Sequence, residues 1–237
     1  MKTVESNLYP KISCLCVTHN KPKMLARAIQ LFLSQSYPNK QLVIVFQESD
    51  TITSQFILNH SFNNNIKIVS VPVNTQRQTL GDLRNLSILS ADGEYVCQWD
   101  DDDLYHSNRL ALQYEFIIKN SIEACVLEQW TIYNMYTDKF YISNKRLWEG
   151  SLMCRTSVIK ELSYPSLEKG EDTCLIDSLI EKNKIMALPN HPELYIYVYH
   201  GKNTWDEKHF NLIFSLSTEL SGDSLDKAIK LKNNFTL

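Results

Sequence analysis

Apolar residues fall along this chain in two rhythms. Ile12–Val17, Leu42–Phe46, Ile66–Val71 and Tyr95–Trp99 are short apolar runs of strand length, each closed by polar residues. Between them, Lys21–Gln35 carries Leu25, Ala28, Ile29 and Phe32 at helical spacing, and Thr53–His60 and Asp82–Ser90 also read as helices. Continuous apolar strands alternating with helices predict a mostly parallel central sheet, an α/β fold with helices on both faces.

The second half is less regular. Ser107–Asn120 reads as a helix, Cys125–Tyr133 as one strand rich in aromatics, and Asp138–Lys145 as a hairpin or loop. Ser151–Arg155, a helix over Asp172–Lys182, Ile185–Leu188 and Leu194–Tyr199 complete the pattern. The tail from Asp206 is helical and in part amphipathic, with a polar break at Ser221–Asp223. No repeat and no long linker interrupts the chain, so one domain over 1–237 is expected.

Composition narrows the function classes. The 43% hydrophobic and 22% charged content is that of an ordinary folded domain, and a net charge of −3 gives no basic surplus for nucleic acid. Six Gly and seven Pro argue against a low-complexity chain. Met1–Pro10 lacks the apolar run of a signal peptide, and no stretch approaches the roughly 20 apolar residues of a membrane span. The six Cys form no CxxC; Cys14, Cys16 and Cys97 lie in apolar strand-like runs and read as reduced core thiols. A soluble protein of a reducing cytoplasm is expected, with peripheral membrane contact left open.

In an open parallel sheet, ligands bind beyond the carboxyl ends of the strands. The four early strands end in Thr18-His19-Asn20, Gln47-Glu48-Ser49-Asp50, Asn74 and Asp100-Asp101-Asp102-Asp103. Four adjacent carboxylates repel one another and are best tolerated where a cation neutralises them. If the segment is extended, Asp100 and Asp102 point the same way and can share one ligand. Oxygen ligands suit Mn²⁺ or Mg²⁺ carrying a diphosphate. A solvated acidic turn is the plainer alternative, and Asp103 can equally cap the next helix. An EF-hand is excluded, because Tyr105 and Ala111 stand where that loop needs Gly and Glu.

Three segments, ISCLCVTHNKPKMLARAIQLFLSQSYPNKQLVIV, LGDLRNLSILSADGEYVCQWDDDDLYHSNRL and KGEDTCLIDSLIEK, resemble the family 2 inverting glycosyltransferases of the GT-A fold, in family order over about residues 11–182. The resemblance implies a nucleotide-sugar-binding half over about 11–105, an acceptor-binding half over about 106–210 and a helical tail over about 211–237. It implies donor contacts from Thr18, Asn20, Gln47, Arg84, Asp100, Asp101 and Lys202. Asp102 and His200 would hold the metal. Asp172 would be the catalytic base, a carboxylate able to deprotonate an acceptor hydroxyl. Trp148, Glu149 and Glu171 would face the acceptor. Helix-terminal roles for Thr18, Asn20, Glu171 and Asp172, a structural ion pair for Arg84, a core role for Trp148, a structural role for His200 and a surface role for Lys202 remain alternatives.

One departure touches the donor. The family often places two acids after the second strand, whereas this chain has Phe46-Gln47-Glu48. The Gln47 amide can still hydrogen-bond uracil. UDP is the expected nucleotide, with dTDP and GDP open, and a glycan or lipid-linked glycan is the expected acceptor. A sugar-nucleotide nucleotidyltransferase would need a Gly-rich phosphate loop after the first strand, where His19-Asn20-Lys21-Pro22 stands. A non-catalytic nucleotide-sugar-binding protein is the other rival, separable by turnover.

Overall fold

The computed structural model describes residues 9–73 and 78–234; Asn74, expected at the third strand's end, lies outside them. The chain opens β1 (Ile12–Val17), α1 (Pro22–Leu33), β2 (Lys40–Gln47), α2 (Thr51–Leu58), β3 (Ile66–Val71), α3 (Leu80–Ser90) and β4 (Tyr95–Gln98). It continues through β5 (Leu104–Tyr105), α4 (Arg109–Asn120), β6 (Ala124–Leu127), β7 (Thr131–Asn134), β8 (Lys139–Ile142), β9 (Trp148–Arg155) and α5 (Thr156–Leu162). It ends α6 (Glu171–Glu181), β10 (Ile185–Leu188), β11 (Tyr195–Tyr199), α7 (Glu207–Ser215), β12 (Thr218–Glu219) and α8 (Gly222–Asn234).

A seven-stranded sheet has the order β10-β6-β9-β4-β1-β2-β3, parallel except for β9, which runs antiparallel to β4 and β6. Both faces are covered, as the apolar runs require. Cys14 and Cys16 of β1 pack with Leu25, Ala28 and Phe32 of α1, while Leu15 between them packs with Leu83, Ile88, Leu175 and Leu179 from α3 and α6. Alternate residues of one strand thus serve two helix layers. Five of the six cysteines are buried, all six are free, and Cys174 is exposed.

The second sheet, β12-β8-β7-β11-β5, corrects one expectation. The single strand expected over Cys125–Tyr133 is two strands in different sheets: β6 pairs with β10 and β9, and β7 with β8 and β11. Between them, buried Trp130 stacks on Trp148 and Tyr195 at 4.5 and 4.6 Å, and that packing directs the chain across. The hairpin alternative for Asp138–Lys145 corresponds to β8, antiparallel to β7. Helix α5 adds an element that the apolar pattern does not announce; its seven residues are too few for a clear period.

Two features position the polar ends of the strands. β5, directly after the acidic run, pairs antiparallel with β11, so residues 100–103 lie beside the segment leading to His200. Gly81, in the first turn of α3, lies under the loop before α6: a Cβ there would stand 1.9 Å from the Pro165 carbonyl oxygen, and Gly81 N–H donates to Leu167 O at 3.0 Å. Backbone cannot yield as a side-chain tip does. Gly81→Ala is expected to destabilise the fold by about 2 kcal/mol, read as a lower thermal midpoint; an unchanged midpoint would show that the loop is not seated there.

Candidate active site

The parallel β1–β4 pairing brings the ends of both strands together. There Thr18 Oγ1 donates to Asp101 Oδ2 at 2.6 Å. The acidic run after β4 is a turn, not an extended segment, and Asp100 and Asp102 take different partners. Asp100 accepts from Gln98 Nε2 at 2.8 Å and meets Arg84 Nη2 at 3.4 Å. Asp102 Oδ2 instead meets Lys21 Nζ at 2.6 Å and His200 Nε2 at 3.0 Å, from a residue 98 positions away. The backbone of the turn is pinned as well: Arg27 Nη2 donates to Asp102 O at 2.7 Å, and Tyr105 O–H to Asp100 O at 3.0 Å.

Asp103 is not a helix cap, which corrects the capping alternative. Helix α4 begins at Arg109, with Asn108 at its N-cap position. Asp103 is buried, accepting from Val198 N–H at 2.8 Å and from the Tyr195 hydroxyl. It therefore ties the acidic turn to β11 and sets the distance between Asp102 and His200. Behind it, fully buried Arg109 sits against the rings of Tyr105, Tyr195 and Trp99 at 4.6, 5.1 and 5.5 Å.

Charge is distributed unevenly over the four acids. Burial alone would raise Asp102, but the contacts with His200 and Lys21 outweigh it and hold the carboxyl well below the usual range. Burial and the adjacent Asp102 charge push Asp101 up to about 7. Burial raises Asp100 against the pull of Arg84, and raises Asp103 further. Burial would pull Lys21 down, but Asp102 and Asp101 prevail and hold its ammonium above the ordinary lysine value. Asp102 is thus the firmly ionised member.

The four aspartates, Lys21 and Arg84 line a cleft of about 330 Å³ that also holds Trp148, Glu149, Glu171, Asp172, Arg146, Lys169 and Trp205. Asp172 stands in the first turn of α6, partly exposed, accepting from Thr173 N–H at 3.0 Å. Gly170 before it takes φ +70°, the left-handed turn that lets the loop enter the helix. Glu171 is buried, with its carboxylate 2.7 Å from Arg84 Nε, so Arg84 bridges Asp100 and Glu171. Trp148 is buried between Trp130 and the Arg146 guanidinium, each about 4.5 Å from its ring, and Arg146 Nη2 also donates to Glu149 at 2.6 Å.

Five expected residues do not line the cleft: Thr18, Asn20, Gln47, His200 and Lys202. Thr18 and His200 are bonded to Asp101 and Asp102 of its lining, and the other three lie apart. Asn20 is exposed with φ +53°, its backbone N–H donating to Asp50 at 2.6 Å. Gln47 ends β2, and Lys202 is exposed on the turn after His200. Conversely, Lys21 and Trp205 belong to the site. Lys21 immediately follows Thr18-His19-Asn20, and Trp205 ends the Gly-Lys-Asn-Thr-Trp stretch, stacked on His209 at 4.4 Å with Lys169 at 5.7 Å. A larger hollow of about 700 Å³ between α8 and the second sheet has, among the described residues, Glu193 as its one carboxylate, so the acid chemistry belongs to the smaller cleft. Among the described residues no group of three or more His, Cys, Asp or Glu could hold a metal, and no helix is long and apolar enough to cross a membrane.

The fold has known counterparts. The chain is 24% identical over 188 residues to the Escherichia coli UDP-Glc:alpha-D-GlcNAc-diphosphoundecaprenol beta-1,3-glucosyltransferase WfgD, covering 75% of this chain and 72% of that one. It is 29% identical over 114 residues to the putative glycosyltransferase EpsE of Bacillus subtilis, covering 48% of this chain and 41% of that one. Among solved structures, S. aureus TarS 1-349 in complex with UDP-GlcNAc superposes with a TM-score of 0.65 at 19% identity, over 82% of this chain and 60% of that one. Glucosyl-3-phosphoglycerate synthase from Mycobacterium tuberculosis, in complex with Mn²⁺, UDP and glucosyl-3-phosphoglycerate, superposes at 0.56 and 14% identity, over 78% and 71%. The chain therefore spans less than two thirds of the TarS fragment and less than half of EpsE. These likenesses show the GT-A fold that the three motif segments imply. The profile of Glycosyl transferase family 2 matches residues 13–170, from β1 to the glycine before α6, and the chain belongs to that family of glycosyltransferase enzymes.

Proposed function

We propose that this glycosyltransferase moves a sugar from a nucleoside diphosphate, UDP foremost, to a hydroxyl of a glycan or lipid-linked glycan, with metal assistance and inversion of configuration. The observation that carries the reading is the meeting of His200, at 3.0 Å, with Asp102, which lines the same cleft as Asp172. A carboxylate oxygen and an imidazole nitrogen about 3 Å apart suit adjacent corners of an octahedron whose metal bonds are about 2.1 Å. The Lys21 ammonium on the same carboxylate oxygen also supports a cation there. Asp102 and His200 would hold Mn²⁺ or Mg²⁺, which when bound neutralises charge growing on the leaving diphosphate. A diphosphate would complete the ligand set that two protein groups leave open.

Asp172 accepts the acceptor's proton as its oxygen attacks the anomeric carbon. Arg84 keeps Asp100 and Glu171 in fixed relation, so the metal-side turn and the α6 N-terminus hold donor and acceptor in line. Thr18 orders the acidic turn through Asp101. Gln47, Asn20 and Lys202 contact donor only if it extends beyond the cleft, or if the rim closes on it. The TarS, glucosyl-3-phosphoglycerate synthase and WfgD names support UDP, and the WfgD name supports a lipid-diphosphate-linked acceptor. The family match ends before Asp172 and His200, so their roles rest on geometry. In this reading the described chain is one catalytic domain, with the donor on the β1–β4 side, the acceptor on the β9–α6 side and the tail packed beneath. In this reading the enzyme acts in the cytoplasm, where peripheral membrane contact would bring it to a lipid-linked acceptor.

Inversion is directly testable. With one base and no second carboxylate assigned as nucleophile, attack comes from the face opposite the diphosphate. An α-linked UDP-sugar is expected to give a β-linked product, read from the anomeric proton coupling of fresh product by NMR. Retained configuration would remove the base role given to Asp172.

A further inference from the structure

Metal-assisted transfer asks Asp102 to take a divalent ion, yet its Oδ2 already carries the Lys21 ammonium at 2.6 Å. Arg27, by contrast, binds the backbone oxygen of Asp102 and leaves the carboxylate free. A metal bond of about 2.1 Å to the same oxygen would bring two cations into close repulsion. Lys21 is built to yield. It stands just before α1, its side chain 29% exposed, and its second carboxylate, Asp101 Oδ1 at 3.4 Å, offers an alternative partner. A lysine ammonium is a point charge on a flexible stem, able to move without disturbing the backbone.

Resting on the metal-dependent reading, we propose that Lys21 is an exchangeable counter-ion of the donor site. It neutralises Asp102 before donor binds, gives way to the divalent ion, and then turns its ammonium to the donor diphosphate. Without a cation on it, Asp102 would stand beside Asp100, Asp101 and Asp103 with His200 as its partner. The lysine therefore keeps the turn folded in the absence of metal and weakens adventitious binding of metal alone. Metal and nucleotide consequently bind better together than either does singly.

The test uses the full chain and Mn²⁺, followed by the electron paramagnetic resonance signal of the free ion. Without nucleotide, Lys21→Met is expected to bind Mn²⁺ about tenfold more tightly than the parent, because a cation bonded to its ligand oxygen is gone. At saturating Mn²⁺ the same variant should bind UDP about tenfold more weakly, having lost a charge-assisted contact to the diphosphate. A lysine with only a structural role would not tighten metal binding. If Lys21→Met does not fold, Lys21→Gln keeps a donor to the carboxylates without the charge and should show the same two opposed shifts. Unchanged or weaker Mn²⁺ binding in the neutral variant, with Mn²⁺–UDP binding intact in the parent, overturns the exchange and leaves the metal-dependent reading standing. Absence of Mn²⁺ binding by the parent even with UDP overturns both.

Discussion

Asp102→Asn is expected to lower Mn²⁺-dependent UDP affinity by about 100-fold or more, with the thermal midpoint of the ligand-free protein little lower than the parent's. Even supporting groups around metal ligands cost about 10–100-fold when removed, and Asp102 is assigned to the metal itself. The substitution keeps the shape of the side chain and an oxygen for one donor, but removes the negative charge that Lys21 and His200 address. Removal of that charge from among four clustered acids also relieves repulsion, which offsets part of the lost ion pair. The useful measurement is a UDP titration with Mn²⁺ and again with chelator. In the parent, chelator should weaken binding strongly; in Asp102→Asn the two curves should nearly coincide. A variant that binds UDP like the parent and keeps its full metal dependence would remove Asp102 from the metal site.

How much of the molecule is legible in its sequence depends on the range of the interaction concerned. β1, β3 and β10 run over the residues read from their apolar runs, because a buried strand flanked by polar residues is a local pattern. The division between β6 and β7 is not legible, since it depends on where Trp130 finds Trp148 and Tyr195 across two sheets. The acidic run is visible as four consecutive aspartates, but the part each plays is not. Asp103 turns inward because Val198 and Tyr195 lie behind it, and Asp100 turns to Arg84 and Gln98. The antiparallel β5–β11 pairing and the Asp103–Val198 hydrogen bond together bring His200 to Asp102. Lys21 escapes a reading of the sequence because a lysine at a helix start carries no signature until its carboxylate partners, some eighty residues away, are in place.

Asp172→Asn is expected to lower kcat by about 100-fold or more, the scale on which a lost general base acts, while UDP affinity stays within a few-fold. The adjacent acids of α6 separate the two kinds of role. Glu171 is buried on Arg84 at 2.7 Å, so Glu171→Gln strikes an ion pair that holds α3 to α6 and should lower the thermal midpoint. Asp172 is partly exposed in the cleft, accepting a hydrogen bond from the next residue's N–H, which an asparagine oxygen also accepts. Its substitution should therefore leave the fold intact and reach kcat alone. The helix-end effect of exchanging Asp for Asn is about 0.3–1 kcal/mol of stability and cannot imitate a hundredfold loss of rate. Steady-state kinetics at saturating donor and acceptor, beside a melting curve for each variant, distinguishes the two acids. Full turnover by Asp172→Asn, or a fall in rate matched by a fall in folded protein, would return Asp172 to the role of a helix-starting residue and leave the base to be found elsewhere in the cleft.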